Sequence, residues 1–181
     1  EMSFVDQDDV INLFEDMCRM LFKEIRGVEL PKLQQMTWKE AMRRFGSDKP
    51  DLRFGMEFVE LQDLLKGTGS FSVFNEAEYI GAICVPGCAN YSRKQLDALT
   101  EFVRKPQIGA KGLAYIKYNA DGSVKSSVDK YYTAEQLQAV KERCQAKDGD
   151  LVLILCGQNA NKTRVQLCSL RLEMGDRPAL R

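Results

Sequence analysis

The sequence predicts an α+β protein, a class in which helices and a β-sheet pack together around a shared core. Two observations predict it. Four short apolar runs typical of strands alternate with segments that have the three- and four-residue spacing of helices. Two of those helical segments begin with a capping box, in which side chains at the first and fourth positions satisfy each other's free backbone amides. The strand-like runs read FSVF, EYIGAICV, GLAYIKY and LVLILC.

The first helix is predicted by a stripe of apolar residues that follows a short predicted strand at residues 2–5. Asp6 or Asp8 can cap this helix, and Gly27 can end it in the left-handed conformation. A stripe of this kind predicts a helix face buried in a core. Its members are Val10, Ile11, Phe14, Met17, Cys18, Leu21, Phe22 and Ile25.

The next segment contains a connector and two further predicted helices. Pro31 and the polar stretch KLQQ predict an extended connector, after which Thr37 can cap a helix over WKEAMRRF. Another helix is predicted over residues 57–66, stopped by GTGS. Lys66 with the glycines that follow resembles part of a phosphate-binding loop. We interpret it as a helix stop, because a P-loop lies between a strand and a following helix.

The predicted α+β module extends from about residue 66 to residue 171. Its capping boxes pair Ser92 with Gln95 and Thr133 with Gln136, and NADG at residues 119–122 predicts a tight hairpin turn. The segment before the module is too small to close a core by itself. We therefore expect it to pack against polypeptide that this sequence does not include.

Composition limits the possible functions. The 181 residues include 44% apolar and 29% charged residues, and 26 basic residues balance 26 acidic ones. A neutral chain has no long-range field that draws it onto nucleic acid or a bilayer, so any such contact must be local. No apolar run approaches the roughly 20 residues that span a membrane, and no signal peptide is evident, which predicts a cytoplasmic protein without a membrane partner. Because the sequence begins with glutamate inside a predicted strand, we expect it to be a piece of a longer chain.

Cysteine and histidine usage argues against several site chemistries. Five of the six cysteines lie in apolar patterns, which predicts reduced, buried thiols. Cys84 and Cys88 form one close pair, but a structural zinc site needs four ligands, so no metal site is predicted. The sequence contains no histidine, which removes the Ser-His and Cys-His arrangements of common hydrolases and thiol proteases.

Several stretches resemble bacterial-type aspartyl-tRNA synthetases. RRFGSDKPDLRFGMEF, at residues 43–58, resembles a stretch typical of that family, and EMSFVDQDDV resembles the end of class II motif 2 and the helix after it. SRKQLDALTEFV, GAKGLAYIKYN, AKDGDLVLILCG and SLRLEMGDR resemble, in that order, segments of the family's GAD insertion. Pro106 and Pro178 depart from the family pattern, and the second makes the end of the insertion less well defined.

The resemblance implies a domain division. Residues 1–65 would be a partial class II catalytic-domain segment, residues 66–172 a GAD-type inserted module with a mixed sheet and flanking helices, and residues 173–181 the exit back towards the catalytic domain. The parent protein would be an aspartate-tRNA ligase that uses ATP and Mg²⁺ to activate aspartate and then transfers it to tRNA. Its partners would be tRNA and the remainder of the catalytic domain. The parent would be a homodimer and this piece a monomer.

The chemistry of that family would lie outside these residues. The motif 2 and motif 3 arginines, the acidic magnesium ligands and the anticodon-binding domain have no counterpart here. We therefore assign no catalytic, cofactor-binding or metal residue to this chain, and we predict that it is inactive alone. The alternative is a non-catalytic binding module that contacts tRNA or a protein partner. A regulatory small-molecule domain is a third interpretation, which only the topology favours.

The stretch at residues 43–53 admits two compatible interpretations. In the first, it is a self-satisfied loop: Asp48 and Asp51 accept backbone amides or pair with nearby arginines (Arg43, Arg44 or Arg53), Ser47 makes a turn bond and Pro50 stiffens the chain. In the second, Lys49 and Arg53 help to position the tRNA acceptor arm through its phosphates, which contribute affinity without sequence information. Aspartates that hold arginines in place would also preorganise them for such a contact.

Overall fold

A computed structural model of the chain describes residues 2–176. The chain divides into two compact units between Thr37 and Trp38. Residues 38–65 therefore belong to the same compact unit as the sheet. The predicted domain boundary after residue 65 stays a prediction, and the last five residues of the predicted exit segment, with Pro178, lie outside the described residues.

The first unit contains one long helix, α1 (Gln7–Arg26). Its start is the predicted one: the Asp6 carboxylate accepts hydrogen bonds from the backbone N–H groups of Asp8 and Asp9 at 2.9 and 3.0 Å, and the Asp9 carboxylate accepts from Asp6. Gly27 ends the helix with a φ of 65°. The strand predicted at residues 2–5 is wrong. Phe4 has a φ of 57°, which breaks an extended run.

Most of the apolar stripe of α1 is exposed within this chain, so the described residues do not bury the predicted face. Phe14 is 56% exposed, Phe22 47% and Ile25 73%. The buried position of the helix is instead Glu15, whose carboxylate accepts a hydrogen bond from the backbone N–H of Leu33 at 2.9 Å. The spacing of apolar residues identifies a helix face that is suited to burial, but it does not show whether the residues that pack against that face lie in the same segment.

The second unit is built on a five-stranded sheet with the strand order β1-β2-β5-β3-β4. The strands are β1 (Val59–Glu60), β2 (Tyr79–Val85), β3 (Ala114–Tyr118), β4 (Val124–Ser126) and β5 (Leu151–Gly157). All four pairings are antiparallel, where a mixed sheet was expected. The predicted turn joins β3 to β4: Asn119 donates its backbone N–H to Ser123 at 2.9 Å, and Gly122 has a φ of 79°. A turn this short permits only an antiparallel neighbour.

Six helices accompany the sheet within residues 38–176. They are α2 (Trp38–Phe45), α3 (Gln62–Leu65), α4 (Ser72–Asn75), α5 (Arg93–Arg104), α6 (Ala134–Arg143) and α7 (Ala160–Gly175). The helix predicted over residues 57–66 is wrong in its first half, where Val59 and Glu60 pair with β2. The strand predicted for FSVF is also wrong. Its two phenylalanines, Phe71 and Phe74, pack edge to face with their ring centroids 4.9 Å apart. One helical turn brings side chains three residues apart into such a contact.

The central strand, β5, is buried on both faces of the sheet. Val152 and Ile154 pack in a core with α3, α4 and α6, while Leu151, Leu153 and Leu155 pack in a second core with α5 and α7. All five side chains are at most 1% exposed. A strand covered on both faces needs apolar residues at every position, which explains the unbroken run LVLIL.

The predicted burial of the thiols is confirmed in part. All six cysteines are free; Cys88, Cys144 and Cys168 are buried, whereas Cys18, Cys84 and Cys156 are half-buried. None of the helices within residues 2–176 is long and apolar enough to cross a membrane.

Both predicted capping boxes are confirmed. Ser92 accepts from the Gln95 backbone N–H at 3.3 Å and donates its own backbone N–H to the Gln95 side chain at 2.8 Å. Thr133 and Gln136 form the same pair of hydrogen bonds, also at 3.3 and 2.8 Å.

We expect Ser92→Ala to lower the free energy of unfolding by about 1 kcal/mol, because the first turn of α5 loses its side-chain acceptor. Urea denaturation followed by circular dichroism measures the change. Ser169→Ala is the control, since that hydroxyl only bonds back to Val165 within α7. Equal effects of the two substitutions would show that the cap contributes nothing.

Candidate functional site

The candidate site is the loop of residues 46–58, which connects α2 to β1 and is called the junction loop below. Both residues predicted to contact tRNA, Lys49 and Arg53, lie in it and are exposed. The Arg53 side chain is 80% exposed. No hydrogen bond or ion pair engages the Lys49 ammonium within the part of the chain that the structure describes.

Gly46 starts the junction loop and ends α2. It has a φ of 69°, and its backbone N–H donates to the Met42 carbonyl at 3.1 Å. A Cβ at this position would collide with the backbone of Arg164 on α7 and with the Phe58 ring. Glycine is therefore required both by the left-handed conformation and by the close approach of the loop to α7.

Asp51 holds Arg53 in place. The Asp51 carboxylate accepts from the backbone N–H of Arg53 at 3.0 Å and from its guanidinium, with a shortest separation of 2.6 Å between Nη2 and Oδ2. These hydrogen bonds lower the pKa of Asp51 to about 2. Ser47 makes the predicted turn bond by accepting from the Lys49 backbone N–H at 3.2 Å. The first interpretation of the loop is thus correct for Asp51, Arg53 and Ser47.

Arg44 pairs with residues that sequence reasoning did not single out. Its guanidinium donates to Glu57 at 2.6 and 2.9 Å and to Glu40 at 3.0 Å, whereas Asp48 and Asp51 were the expected partners. The hydrogen bonds from Arg44 lower the pKa of Glu57. Because the Phe58 backbone N–H also donates to the Arg44 carbonyl at 2.9 Å, the last residues of the loop are fixed to α2.

Arg171 of α7 anchors the middle of the junction loop from within the protein. Its side chain is 0% exposed. The guanidinium donates hydrogen bonds of 2.8–3.2 Å to four backbone carbonyls of the loop, those of Asp51, Phe54, Gly55 and Met56. Buried backbone carbonyls need such partners, and one planar fork of donors supplies them together.

The surroundings of Arg171 are aromatic. Its guanidinium carbon lies 4.3 Å from the centre of the Phe54 ring and 4.9 Å from that of Phe45. Gly175 makes this arrangement possible, since a Cβ there would collide with the Phe54 ring. Burial lowers the pKa of Arg171, but a guanidinium keeps its proton in proteins.

Sequence reasoning missed Arg171, although a signal was available. The residue lies four positions after Leu167 and three before Met174, both fully buried. It therefore occupies the buried stripe of its own helix. A charged residue in such a stripe indicates a buried partner elsewhere in the chain.

The assignment of no cofactor-binding or metal residue to this chain stays a prediction. Within residues 2–176 no group of three or more histidine, cysteine, aspartate or glutamate side chains is arranged to hold a metal ion. Lys66 donates its ammonium to the Ala77 carbonyl at 2.8 Å, and Gly67 donates to the Asn75 side chain at 2.8 Å. Since these groups are satisfied internally, the KGTG stretch is structural and does not cradle a phosphate.

The geometry defines the class of protein: an α+β module with helices on both faces of an antiparallel sheet, preceded by a hydrogen-bonded loop that presents Lys49 and Arg53 to solvent. Residues 71–167 match the GAD domain family, and the chain belongs to that family.

The chain also matches, over its whole length, proteins named aspartate–tRNA ligase. The chain is 63% identical to the aspartate–tRNA ligase of Parabacteroides distasonis, 65% to that of Bacteroides fragilis and 58% to that of Porphyromonas gingivalis, each over 100% of this chain. It spans 31% of the length of each of these proteins. The resemblance to aspartyl-tRNA synthetases that the sequence segments indicated is confirmed.

We expect Arg171→Met to lower the free energy of unfolding by at least about 3 kcal/mol, because the substitution leaves several buried carbonyls without donors. Arg171→Lys restores only part of the loss, since an ammonium cannot reproduce the planar fork. Urea denaturation measures the stability, and amide hydrogen exchange of residues 51–56 reports the loop. Arg93→Met, at an exposed site on α5, is the matched control and stays within about 0.5 kcal/mol of the native protein. A loop that exchanges as slowly without Arg171 as with it contradicts this anchoring role.

The Asp51–Arg53 pair predicts a specific pH dependence. Because the pKa of Asp51 is lowered from 3.8 to about 2 in the folded protein, the pair stabilises the loop above about pH 4 and loses that contribution as the pH falls towards 2. Carbon-detected NMR titration of the Asp51 carboxyl measures the midpoint. In Arg53→Gln we expect the midpoint to return towards the ordinary value of about 3.9. The same midpoint in both proteins would show that Arg53 does not set the charge of Asp51.

Proposed function

We propose that this chain is part of an aspartate–tRNA ligase, an enzyme that activates aspartate with ATP and transfers it to tRNA. The observation that carries the proposal is the identity of 63–65% over the full chain to relatives of that name. Since the chain spans 31% of their length, the activity belongs to the parent protein. In this proposal ATP and Mg²⁺ bind to other parts of the parent, which is a cytoplasmic homodimer with a class II catalytic domain.

The role we propose for this chain is structural support and tRNA positioning, without catalysis. The absence of histidine from the sequence supports it, since the commonest general base is missing. The exposed cations of the junction loop support a contact with the tRNA backbone, because phosphate contacts position a nucleic acid without reading its sequence.

Lys49 and Arg53 are suited to this contact in different ways. The Lys49 ammonium is exposed, so it can meet a phosphate as a mobile point charge. Arg53 uses Nε and Nη2 to bind Asp51, which leaves Nη1 to donate to a phosphate from a fixed position. The internal anchor at Arg171 keeps the loop that carries both residues in one conformation.

The exposed face of α1 supports a second partner, the remainder of the catalytic domain. Its large apolar side chains are 37–73% exposed along the helix, and exposed apolar faces of this kind mark interaction sites. We propose that the parent's catalytic domain covers this face. The 181-residue chain alone would be a monomer, because the dimer contacts of the parent lie elsewhere.

In the intact parent enzyme, we expect Lys49→Ala and Arg53→Ala each to raise the tRNA concentration needed for half-maximal charging by roughly threefold to tenfold, since each removes one phosphate contact worth about 1 kcal/mol. ATP–pyrophosphate exchange, which requires no tRNA, stays near the native rate. Lys94→Ala, at an exposed position on α5, is the control. Equal losses in charging and exchange would argue for a purely structural loop.

The isolated 181-residue chain is expected to show no aspartate-dependent ATP–pyrophosphate exchange, because it contributes no ATP or magnesium ligands in this proposal. The intact parent, assayed in parallel, supplies the positive signal. Turnover by the fragment that depends on aspartate would place catalytic residues within this chain and overturn the division of roles.

A further inference from the structure

A cavity of about 410 Å³ opens at one end of the sheet, and we call it the sheet-end cavity. It lies between α4, the C-terminal end of β5 and the segment that follows α5. Its volume falls within the roughly 300–1,000 Å³ of small-molecule sites. Much of the lining is apolar and includes Phe71, Phe74, Leu113, Val128 and Ile154. No junction-loop residue lines it, so it is a separate feature of the molecule.

At the cavity, β5 continues past the end of its pairing with β3, so its backbone groups there have no partner on β3. Tyr118 donates its backbone N–H to the Asp150 carbonyl, so the even-numbered residues of β5 direct their backbone groups towards β3. The ladder between β3 and β5 ends at the pair Ala114–Ile154. Cys156 lies one rung further, where no β3 residue pairs with it. Its backbone N–H and C=O therefore face the cavity as a donor and an acceptor.

Two cations border the same space. Arg104 lies at the end of α5, and its Nε donates to the Lys111 carbonyl at 3.2 Å. Its Nη2 is 4.0 Å from the position that a Cβ on Gly112 would occupy, which places the guanidinium over the loop that forms the cavity wall. Glu76 is the acidic residue of the lining, and the Glu101 carboxylate, outside the lining, lies 3.6 Å from Arg104 Nη1.

Lys111 is an exposed residue of the cavity lining. Burial raises the pKa of the Cys156 thiol, which also lines the cavity, and the positive charge of Lys111 acts against that rise. No hydrogen bond or ion pair satisfies the Lys111 ammonium among residues 2–176. An unpaired cation beside an apolar cavity and a free backbone N–H is an arrangement that suits an anion with an apolar body.

We propose that the sheet-end cavity binds a small carboxylate whose apolar body, a ring or a branched chain, packs against Phe71 and Phe74. The carboxylate pairs with Lys111 and Arg104, and the Cys156 backbone N–H supplies a neutral donor. The proposal goes beyond ligase activity, since it assigns a small-molecule site to the GAD domain.

The test is a titration of the uniformly ¹⁵N-labelled 181-residue chain with 1-naphthylacetate, followed by ¹H–¹⁵N NMR. We expect saturable shifts of the amides of Gly112, Leu113, Cys156 and Gly157. The uncharged counterpart, 2-(1-naphthyl)ethanol, should bind at least fivefold more weakly. Shifts that do not saturate, or that are confined to α1, overturn the site. Equal affinities for the acid and the alcohol overturn the assignment of an anion.

Two variants test the proposed contacts. Lys111→Gln should weaken binding of the acid at least threefold and leave binding of the alcohol unchanged. The control Lys94→Gln removes an exposed lysine of α5 that is outside the lining, and it should change the binding of neither ligand. Val73→Trp, at a half-exposed position of the lining, should fill the cavity and weaken both ligands. Unchanged acid binding in Lys111→Gln, or unchanged binding of both ligands in Val73→Trp, contradicts the proposal. The spectra themselves show whether each variant is folded.

Discussion

The buried guanidinium of Arg171 determines how the junction loop is held. Residues 51–56 form an irregular turn that has no secondary structure to satisfy its carbonyls. One side chain from α7 reaches four of them, and the rings of Phe45 and Phe54 lie beside it. Helix α7 also packs against the sheet through Leu167, Leu170 and Met174. Arg171 therefore connects the loop to the close-packed core.

A buried arginine is costly to desolvate, and no carboxylate among residues 2–176 binds this one directly. The protein compensates with carbonyl dipoles and aromatic faces, and the carboxylates of Asp51 and Glu57 act on it from nearby. The same two carboxylates bind Arg53 and Arg44. The loop therefore contains a connected network: Arg171 interacts with the carboxylates of Asp51 and Glu57, which in turn bind the outer arginines Arg53 and Arg44. The exposed Lys49 lies in the same loop.

The two units of the chain illustrate different degrees of self-sufficiency. The sheet has an apolar core on each face, and in both cores the packing residues come from helices of the same unit. Helix α1 has equally regular amphipathic spacing, yet its apolar face stays exposed. In the proposed function, the remainder of the parent protein covers this face. The chain spans 31% of the length of its relatives.

The sequence by itself determined the local structure wherever short-range interactions suffice. Both capping boxes, the Gly27 and Gly46 helix ends and the β3–β4 turn depend on residues within a few positions of each other, and all were predictable. Distant contacts decided the rest. Val59 and Glu60 became a strand because β2 offers a free edge, and Phe71 to Phe74 became a helical turn because both rings pack inward. Arg171 lies 115–120 positions from the carbonyls it binds, so no local pattern could name its partners; only the folded chain brings a charge and its distant acceptors together in a space that excludes water.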